Sequence, residues 1–207
     1  MDQGSLIGKL EVLTLWIYRF SILNILWLFF SILGLIIFGV APATTAAYGV
    51  IQTWMRQEQT KGTIVSLFWQ VYKETFIRAN TLWLILLVIG FILYVDFYFI
   101  FRLDNVFAPV LLGIGGFVFM LYVMVIVFSF PLLVQLNLKT WATMKYSLIY
   151  AFTSPVLTIS IIVSFVAFHY LIFQVPVLYL FFSVSVMAYI IMAVVERNSM
   201  KLGLQKN

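Results

Sequence analysis

The stretch "VAPATTAAYG", residues 40–49, decides the topology of this 207-residue chain. It follows about twenty apolar residues, 20–40, which predict a membrane-spanning helix. The apolar run is interrupted at Pro42, yet no charged residue appears before Arg56. Residues 42–57 are therefore either a helix at the membrane surface or a second helix that returns through the bilayer.

The composition predicts an integral membrane protein. Hydrophobic residues make up 64% of the chain and charged residues only 9%, whereas charged residues are about a quarter of an ordinary soluble domain. The net charge of +5 comes from Lys and Arg residues that stand singly between apolar runs. That pattern is typical of topology control rather than nucleic-acid binding. We therefore expect a multi-pass protein of the bacterial cytoplasmic membrane.

Two further absences limit the possible chemistry and the fate of the first span. The chain has no cysteine, so disulfides, thiol nucleophiles and Cys-ligated metals are excluded. The first thirteen residues lack both a basic leader region and a small-residue cleavage site before the first apolar run. We expect the first span to be retained as an anchor.

The distribution of positive charge favours six crossings. If 42–57 is a helix that crosses the bilayer, eleven of the twelve Lys and Arg residues lie on the inner side and only Arg102 lies outside. Without that crossing the division is nine inside and three outside. The positive-inside bias therefore predicts six spans with both termini inside. The predicted spans are 20–40, 42–57, 79–101, 106–130, 155–173 and 176–195.

The residue types in 42–57 agree with a helix. Pro42 suits a first helical turn, where its missing N–H is not needed. Ala43 and Ala47 form a small-xxx-small pair that allows close helix packing, as do Thr45 and Gly49. Sixteen residues reach only about 24 Å, so this short helix should be buried among its neighbours.

We expect an all-α fold: a polytopic helix bundle forming a single membrane domain, 1–207. It would consist of three hairpins, each preceded by an amphipathic helix on the cytoplasmic surface. The predicted units are an interfacial helix at 1–19, a first hairpin at 20–57, a second interfacial helix plus hairpin at 63–130, a third such unit at 136–196 and a tail at 197–207.

An internal repeat supports this organisation. With a shift of 72 residues, five residues in and after the second interfacial helix match residues of the same type in the third. The matched residues are Trp69, Lys73, Ile77, Ala79 and Thr81 in one copy, and Trp141, Lys145, Ile149, Ala151 and Thr153 in the other.

Catalytic motifs are absent from the sequence. No nucleophile elbow, zinc-protease motif or phosphate-binding loop occurs, and His169 is the only histidine. The "GIGG" at 113–116 lies in an apolar helix without a preceding strand, which is typical of a packing notch. We therefore expect no enzymatic activity, no cofactor and no metal site.

The ionisable residues inside spans are the strongest candidates for a ligand site, because charge is costly in lipid. Asp96 and His169 lie about one turn below the predicted outer surface, on equivalent helices of the repeat. One hypothesis is an outer polar pocket in which Asp96 pairs with Arg102 or His169, with Tyr98 in its wall. The alternative is that Asp96 reaches the interface alone and the tyrosines belong to an aromatic belt.

The amides Asn24 and Asn80 lie near the inner ends of their spans. Hydrogen bonds between helices are their expected role, worth about 0.6 kcal/mol each. Nothing in the sequence marks a continuous polar file through the bilayer, which a channel or proton relay would need.

Several motifs together resemble a known family. They are "FGVAPATTAAYGVIQTWMR" (38–56), "EQTKGT" (58–63), "FWQVYKETFIRANTLW" (68–83) and "FPLLVQLNLKTWATMKYSLIYAF" (130–152). This order resembles the YesL-like family of bacterial membrane proteins, a domain-of-unknown-function family found mostly in Gram-positive bacteria. Its most recognisable positions are Pro42, Thr44, Arg56 and Asn80.

The resemblance implies a small polytopic protein, often encoded near carbohydrate ABC importers and polysaccharide-degrading enzymes. It assigns no catalytic residue. We expect a non-enzymatic accessory or regulatory protein linked to carbohydrate uptake. Its partners would be the lipid bilayer and carbohydrate ABC importer subunits, not nucleic acid. Trp69, Lys73, Trp141 and Lys145 would form its docking surface. The alternative is a stand-alone small-molecule transporter that uses the outer polar pocket.

Overall fold

A computed structural model describes residues 6–57, 62–104, 106–153 and 155–201. Throughout these ranges the regular secondary structure is helical, which confirms the all-α class. The described elements are α1 (Leu6–Leu33), α2 (Val40–Met55), α3 (Ile64–Ile100), α4 (Ala108–Leu136), α5 (Thr140–Thr153), α6 (Pro155–Phe173), α7 (Pro176–Phe182) and α8 (Ser185–Lys201).

Three of these helices are long and apolar enough to cross a membrane by themselves: α1, α3 and α4. The bent pairs α5–α6 and α7–α8 raise the number of candidate spans to five if each pair is one span. The membrane character is therefore confirmed. At 16 residues α2 falls below the length of a candidate span, and the sixth crossing stays a prediction.

The first two interfacial helices are not separate elements, contrary to the expectation from sequence. In the described part of 1–19 the chain already belongs to α1, and 63–78 is continuous with the following span as the 37-residue α3. Neither helix contains a proline, and α3 has no glycine before Gly90. Nothing in the backbone therefore interrupts the helix where its surface changes from amphipathic to apolar.

Breaks do occur in the second copy of the repeat. Pro155 begins α6, and α5 and α6 form a bend of 97°. Proline removes a helical N–H and clashes with the preceding turn, and the equivalent residue in the unbroken α3 is Trp83. A second break separates α7 from α8, which meet at 43°.

The two copies of the repeat share side-chain environments. The Trp, Lys and Ile of each copy are exposed, whereas Ala79 and Ala151 are fully buried. Thr81 and Thr153 each donate a hydrogen bond to the carbonyl four residues earlier. The matching pattern of exposure and bonding supports a true repeat in the described residues.

The centre of the molecule is α2, which packs against α1, α3, α4 and α8. Pro42 is buried in its first turn, as the sequence predicts. Gly49 lies against α3, where an added Cβ would lie 2.8 Å from Val71 Cγ1. The short second helix is thus surrounded by protein, as its small residues indicate.

The turn between α1 and α2 is apolar and exposed. Leu35 and Ile36 are 79% and 62% exposed and adopt positive φ angles of 58° and 65°. The backbone N–H groups of both residues bond to carbonyls at the end of α1, and those of Gly39 and Val40 bond to Ile36 O. A turn whose backbone bonds are made internally is compatible with a hydrocarbon environment.

Candidate functional site

A partly buried ion pair joins the end of α2 to the last turns of α8. Arg56 Nε lies 2.8 Å from Glu196 Oε1, and Arg56 Nη2 donates to Oε2 at 3.4 Å. The Glu196 side chain is 9% exposed and that of Arg56 is 32% exposed. Removing a carboxylate from water is costly unless it is paired and hydrogen-bonded, so Glu196 depends on its partners.

Additional polar groups complete the environment of Glu196. Gln135 Nε2 of α4 donates to Glu196 Oε2 at 3.1 Å, and Ser199 Oγ donates to Gln135 Oε1 at 3.1 Å. We call Arg56, Gln135, Glu196 and Ser199 the ionic cluster. It connects three helices that are far apart in sequence, and it is the most concentrated polar arrangement in the described part of the chain.

Sequence reasoning found only one member of the ionic cluster. Arg56 was singled out as a family position and as a charge on the inner side, while Glu196 was missed as a site residue. The available signal was the acidic residue that ends the apolar run 176–195, on the same predicted membrane side as Arg56. Charge pairing between distant helices cannot be read from local spacing.

A row of polar side chains runs along α2 at a spacing of four residues: Thr44, Tyr48, Gln52 and Arg56. Residues at this spacing lie on one ridge of a helix. Trp27 Nε1 of α1 donates to Thr44 Oγ1 at 3.0 Å, and Thr44 donates to Val40 O at 2.7 Å. This polar row was not predicted from the sequence.

The middle of the row is poorly satisfied. Gln52 Nε2 is buried and has no hydrogen-bond partner among the described residues. Buried polar atoms without partners are uncommon. The row therefore links a well-paired ionic cluster to a region with spare hydrogen-bonding capacity.

Asn24 occupies the break between α7 and α8. Its Nδ2 donates to Leu180 O at 2.6 Å, and its Oδ1 accepts from the N–H groups of Val184 and Ser185 at 3.0 and 3.2 Å. An uninterrupted helix would bond Val184 N–H to Leu180 O directly. The Asn24 amide bridges these two groups, so the predicted inter-helix role of Asn24 is confirmed.

Asn80 behaves differently from Asn24. Its Nδ2 donates to Phe76 O one turn earlier in α3, at 3.0 Å, and its buried Oδ1 has no partner in the described structure. The predicted inter-helix hydrogen bond of Asn80 is therefore wrong: the amide bonds within its own helix.

The structure brings together only part of the predicted outer pocket. The Arg102 guanidinium lies 3.9 Å from the centre of the Tyr98 ring, which is a cation–π geometry. Asp96 is exposed on α3, and the described residues contain no ion pair between it and Arg102. His169 stacks on Phe165 and bonds to Phe165 O within α6.

The predicted docking residues lie on two exposed helix faces. Trp69 is 41% exposed, with Lys73 Nζ 5.2 Å from its ring centre. Trp141 on α5 is 76% exposed, with Lys145 one turn further along the same exposed face. We call the face of Trp69, Lys73 and Ile77 the α3 face, and that of Trp141, Lys145 and Ile149 the α5 face.

No group of three or more His, Asp or Glu side chains able to hold a metal occurs among the described residues. The ionic cluster contains a single carboxylate and an arginine, and that combination suits an ion pair rather than a metal.

These features define the class: an all-helical integral membrane protein whose central short helix ends in a partly buried ionic cluster. Within that class, residues 20–97 match the family model described as "Protein of unknown function, DUF624". The chain belongs to this family, which is the YesL-like family that its motifs indicate. No solved structure matches the chain.

Three similar proteins of Bacillus subtilis (strain 168) are each described as uncharacterized. YteU is 35% identical over 94% of this chain and 87% of its own length. YesL is 28% identical over 70% of this chain and 67% of its own length. YesV is 26% identical over 91% of this chain and 90% of its own length.

Proposed function

We propose that this protein is a non-enzymatic accessory or regulatory component of the cytoplasmic membrane, linked to carbohydrate uptake. The observation that carries the proposal is the pair of matching exposed faces on α3 and α5. Each presents a tryptophan, a lysine and an isoleucine at successive turns. The family resemblance implies genes encoded near carbohydrate importers. It therefore identifies importer subunits as the proposed partner.

The lysines limit where the two faces can lie. A lysine within an apolar face is costly at membrane depth, so Lys73 and Lys145 belong near the inner surface or against a partner. Exposed tryptophan beside a basic residue is also typical of interface positions that contribute strongly to binding. The two faces could therefore bind acidic, apolar patches on cytoplasmic-side segments of importer subunits.

Site-specific crosslinking in the native host tests the proposal. A photoreactive p-benzoylphenylalanine at Trp69 or Trp141 should crosslink importer subunits in cells induced by oligosaccharide. The matched controls are Tyr94, near the other end of α3, and Tyr170, near the end of α6; both are exposed aromatic residues. Trp69→Ala with Trp141→Ala should lower recovery of the partner by roughly tenfold or more. Crosslinks to lipid alone from both faces would contradict the proposal.

A second candidate function, a stand-alone small-molecule transporter, is favoured by the polar row on α2. Thr44, Tyr48, Gln52 and Arg56 give the central helix a polar side chain at each successive turn. Vesicles that contain only this protein would then accumulate a labelled sugar, and Gln52→Leu would abolish that uptake. Uptake equal to that of protein-free vesicles would remove this candidate.

A further inference from the structure

A cavity of about 360 Å³ lies between α2, α3, α4, α6 and α8. Its walls include Val127 and Phe130 of α4, Ile161 and Phe165 of α6, and Trp83 of α3. The volume falls within the range of small-molecule sites, about 300–1,000 Å³. The described residues that line it include no Asp, Glu, Lys, Arg or His, so the cavity suits an uncharged molecule.

The cavity contains a hydrogen-bond donor without a partner. Tyr48 is 5% exposed and lines the cavity, and its hydroxyl makes no hydrogen bond to any described residue. The neighbouring Thr44 hydroxyl is already committed to Trp27 and Val40 O. A hydroxyl that faces an apolar cavity without a partner is unfavourable, and a ligand oxygen that accepts from Tyr48 would remove that cost.

The cavity has a lateral route to the bilayer. Its α4 and α6 walls do not pack extensively on each other within the described ranges, and Phe165 at this side is 46% exposed. A hydrocarbon tail could therefore leave the cavity between these two helices and continue into lipid.

The position of Tyr48 along α2, with Arg56 at the predicted inner surface, distinguishes between classes of lipid-soluble molecules. It lies eight residues from each end of the stretch Val40 to Arg56, which is about 12 Å along the helix in either direction. The ester carbonyls of phospholipids are held near the membrane surface, outside the hydrocarbon core of about 30 Å. The carbonyl groups of an isoprenoid quinone are not fixed at the surface.

We propose that this cavity binds the ring of an isoprenoid quinone, with one ring carbonyl accepting a hydrogen bond from Tyr48. The flat ring packs against an aromatic wall formed by Trp83 and Phe130, whose ring centroids lie 6.4 Å apart at an angle of 51°, and against the aliphatic side chains of the cavity. The isoprenoid tail leaves between α4 and α6. The proposal concerns binding only, and it is independent of the docking faces on α3 and α5.

Equilibrium binding of a radiolabelled, short-chain menaquinone to the full-length protein in phosphatidylcholine nanodiscs tests the site. Empty nanodiscs provide the background. Saturable binding is expected, and Tyr48→Phe should weaken it by about threefold to tenfold, the effect of one hydrogen bond. The matched control Tyr98→Phe lies outside the cavity and should leave binding unchanged.

A cavity-filling variant tests the location independently. Ile161→Trp should reduce binding at least tenfold, while unchanged thermal unfolding would show that the variant is folded. If Ile161→Trp does not fold, Tyr48→Phe still decides the outcome. No saturable binding above empty nanodiscs, or equal affinity in Tyr48→Phe and the wild type, would overturn the proposal. So would photocrosslinking of a diazirine-labelled phospholipid to the cavity that menaquinone cannot displace.

Discussion

At the scale of single residues, hydrogen bonds between helices join segments that are distant in sequence. Asn24 satisfies a carbonyl and two N–H groups at the α7–α8 break. Lipid offers these backbone groups no alternative partner. One amide in α1 therefore allows a predicted span near the end of the chain to be discontinuous.

Replacing Asn24 should destabilise the protein more than replacing Asn80. Asn24→Leu removes three inter-helix hydrogen bonds, each worth about 0.6 kcal/mol in a membrane protein, for a total of about 2 kcal/mol. Asn80→Leu is the matched control, because Asn80 makes one bond within its own helix and should lose under 1 kcal/mol. The free energy of unfolding in mixed micelles measures both. Equal losses would show that the bridge at the break contributes nothing.

The ionic cluster predicts a strong interaction between Arg56 and Glu196. Glu196→Gln should destabilise the fold by about 2 kcal/mol, less than a fully buried pair would lose, since Arg56 is partly exposed. A double-mutant cycle with Arg56→Gln measures the coupling. Arg102→Gln provides a control arginine without a carboxylate partner in the described structure. Additive effects of the two cluster substitutions would contradict the pairing.

At the scale of helices, the α1–α2 hairpin is shorter than its neighbours. Phe30, near its tip, stacks on Phe68 and Trp69, and the Tyr72 hydroxyl reaches Phe30 O at 3.4 Å. These contacts lie near the beginning of α3, which continues for about 40 Å beyond Tyr72. The exposed apolar turn at 34–39 therefore lies well below the tip of the α3–α4 hairpin.

This difference in depth predicts different accessibility of introduced cysteines in a chain that has none of its own. Asp104→Cys should react with a membrane-impermeant maleimide on intact cells, whereas Phe38→Cys should not. A lipid-soluble maleimide serves as the control, because both side chains are exposed on the protein. Labelling of Phe38→Cys by the impermeant reagent would show that the α1–α2 turn reaches the outer water.

The helices themselves were largely predictable from the sequence, whereas their junctions were not. Apolar length located the candidate spans α3 and α4, whereas the predicted span 20–40 includes the turn at 34–39. Pro42 with its small neighbours identified the buried α2. Local pattern could not show that 63–78 continues into the next span, since amphipathic and apolar surfaces can occupy one helix. The bridge from Asn24 to the α7–α8 break and the pairing of Glu196 depend on tertiary contacts with no sequence signature.

At the scale of the whole molecule, the α1–α2 hairpin returns to the side from which it entered, even if its turn does not reach the outer surface of the bilayer. Whether α2 crosses completely or stops within the bilayer, the N-terminus and Arg56 lie on the same side. Both arrangements place eleven of the twelve positive charges inside and leave Arg102 outside. The positive-inside bias therefore predicts the orientation but does not determine how deeply the first hairpin inserts.

The orientation gives the last prediction. Reporter fusions at either end should show cytoplasmic behaviour: a fluorescent protein should be fluorescent and alkaline phosphatase inactive. Thr60→Cys, in the linker outside the described residues, should resist the impermeant maleimide until cells are permeabilised. An odd number of crossings would instead place one terminus outside and make its phosphatase fusion active. Cytoplasmic termini together with an unlabelled Phe38→Cys would identify α1–α2 as a hairpin that enters and leaves the membrane from the inner side. The ionic cluster at the end of α2 would then be accessible only from the cytoplasm.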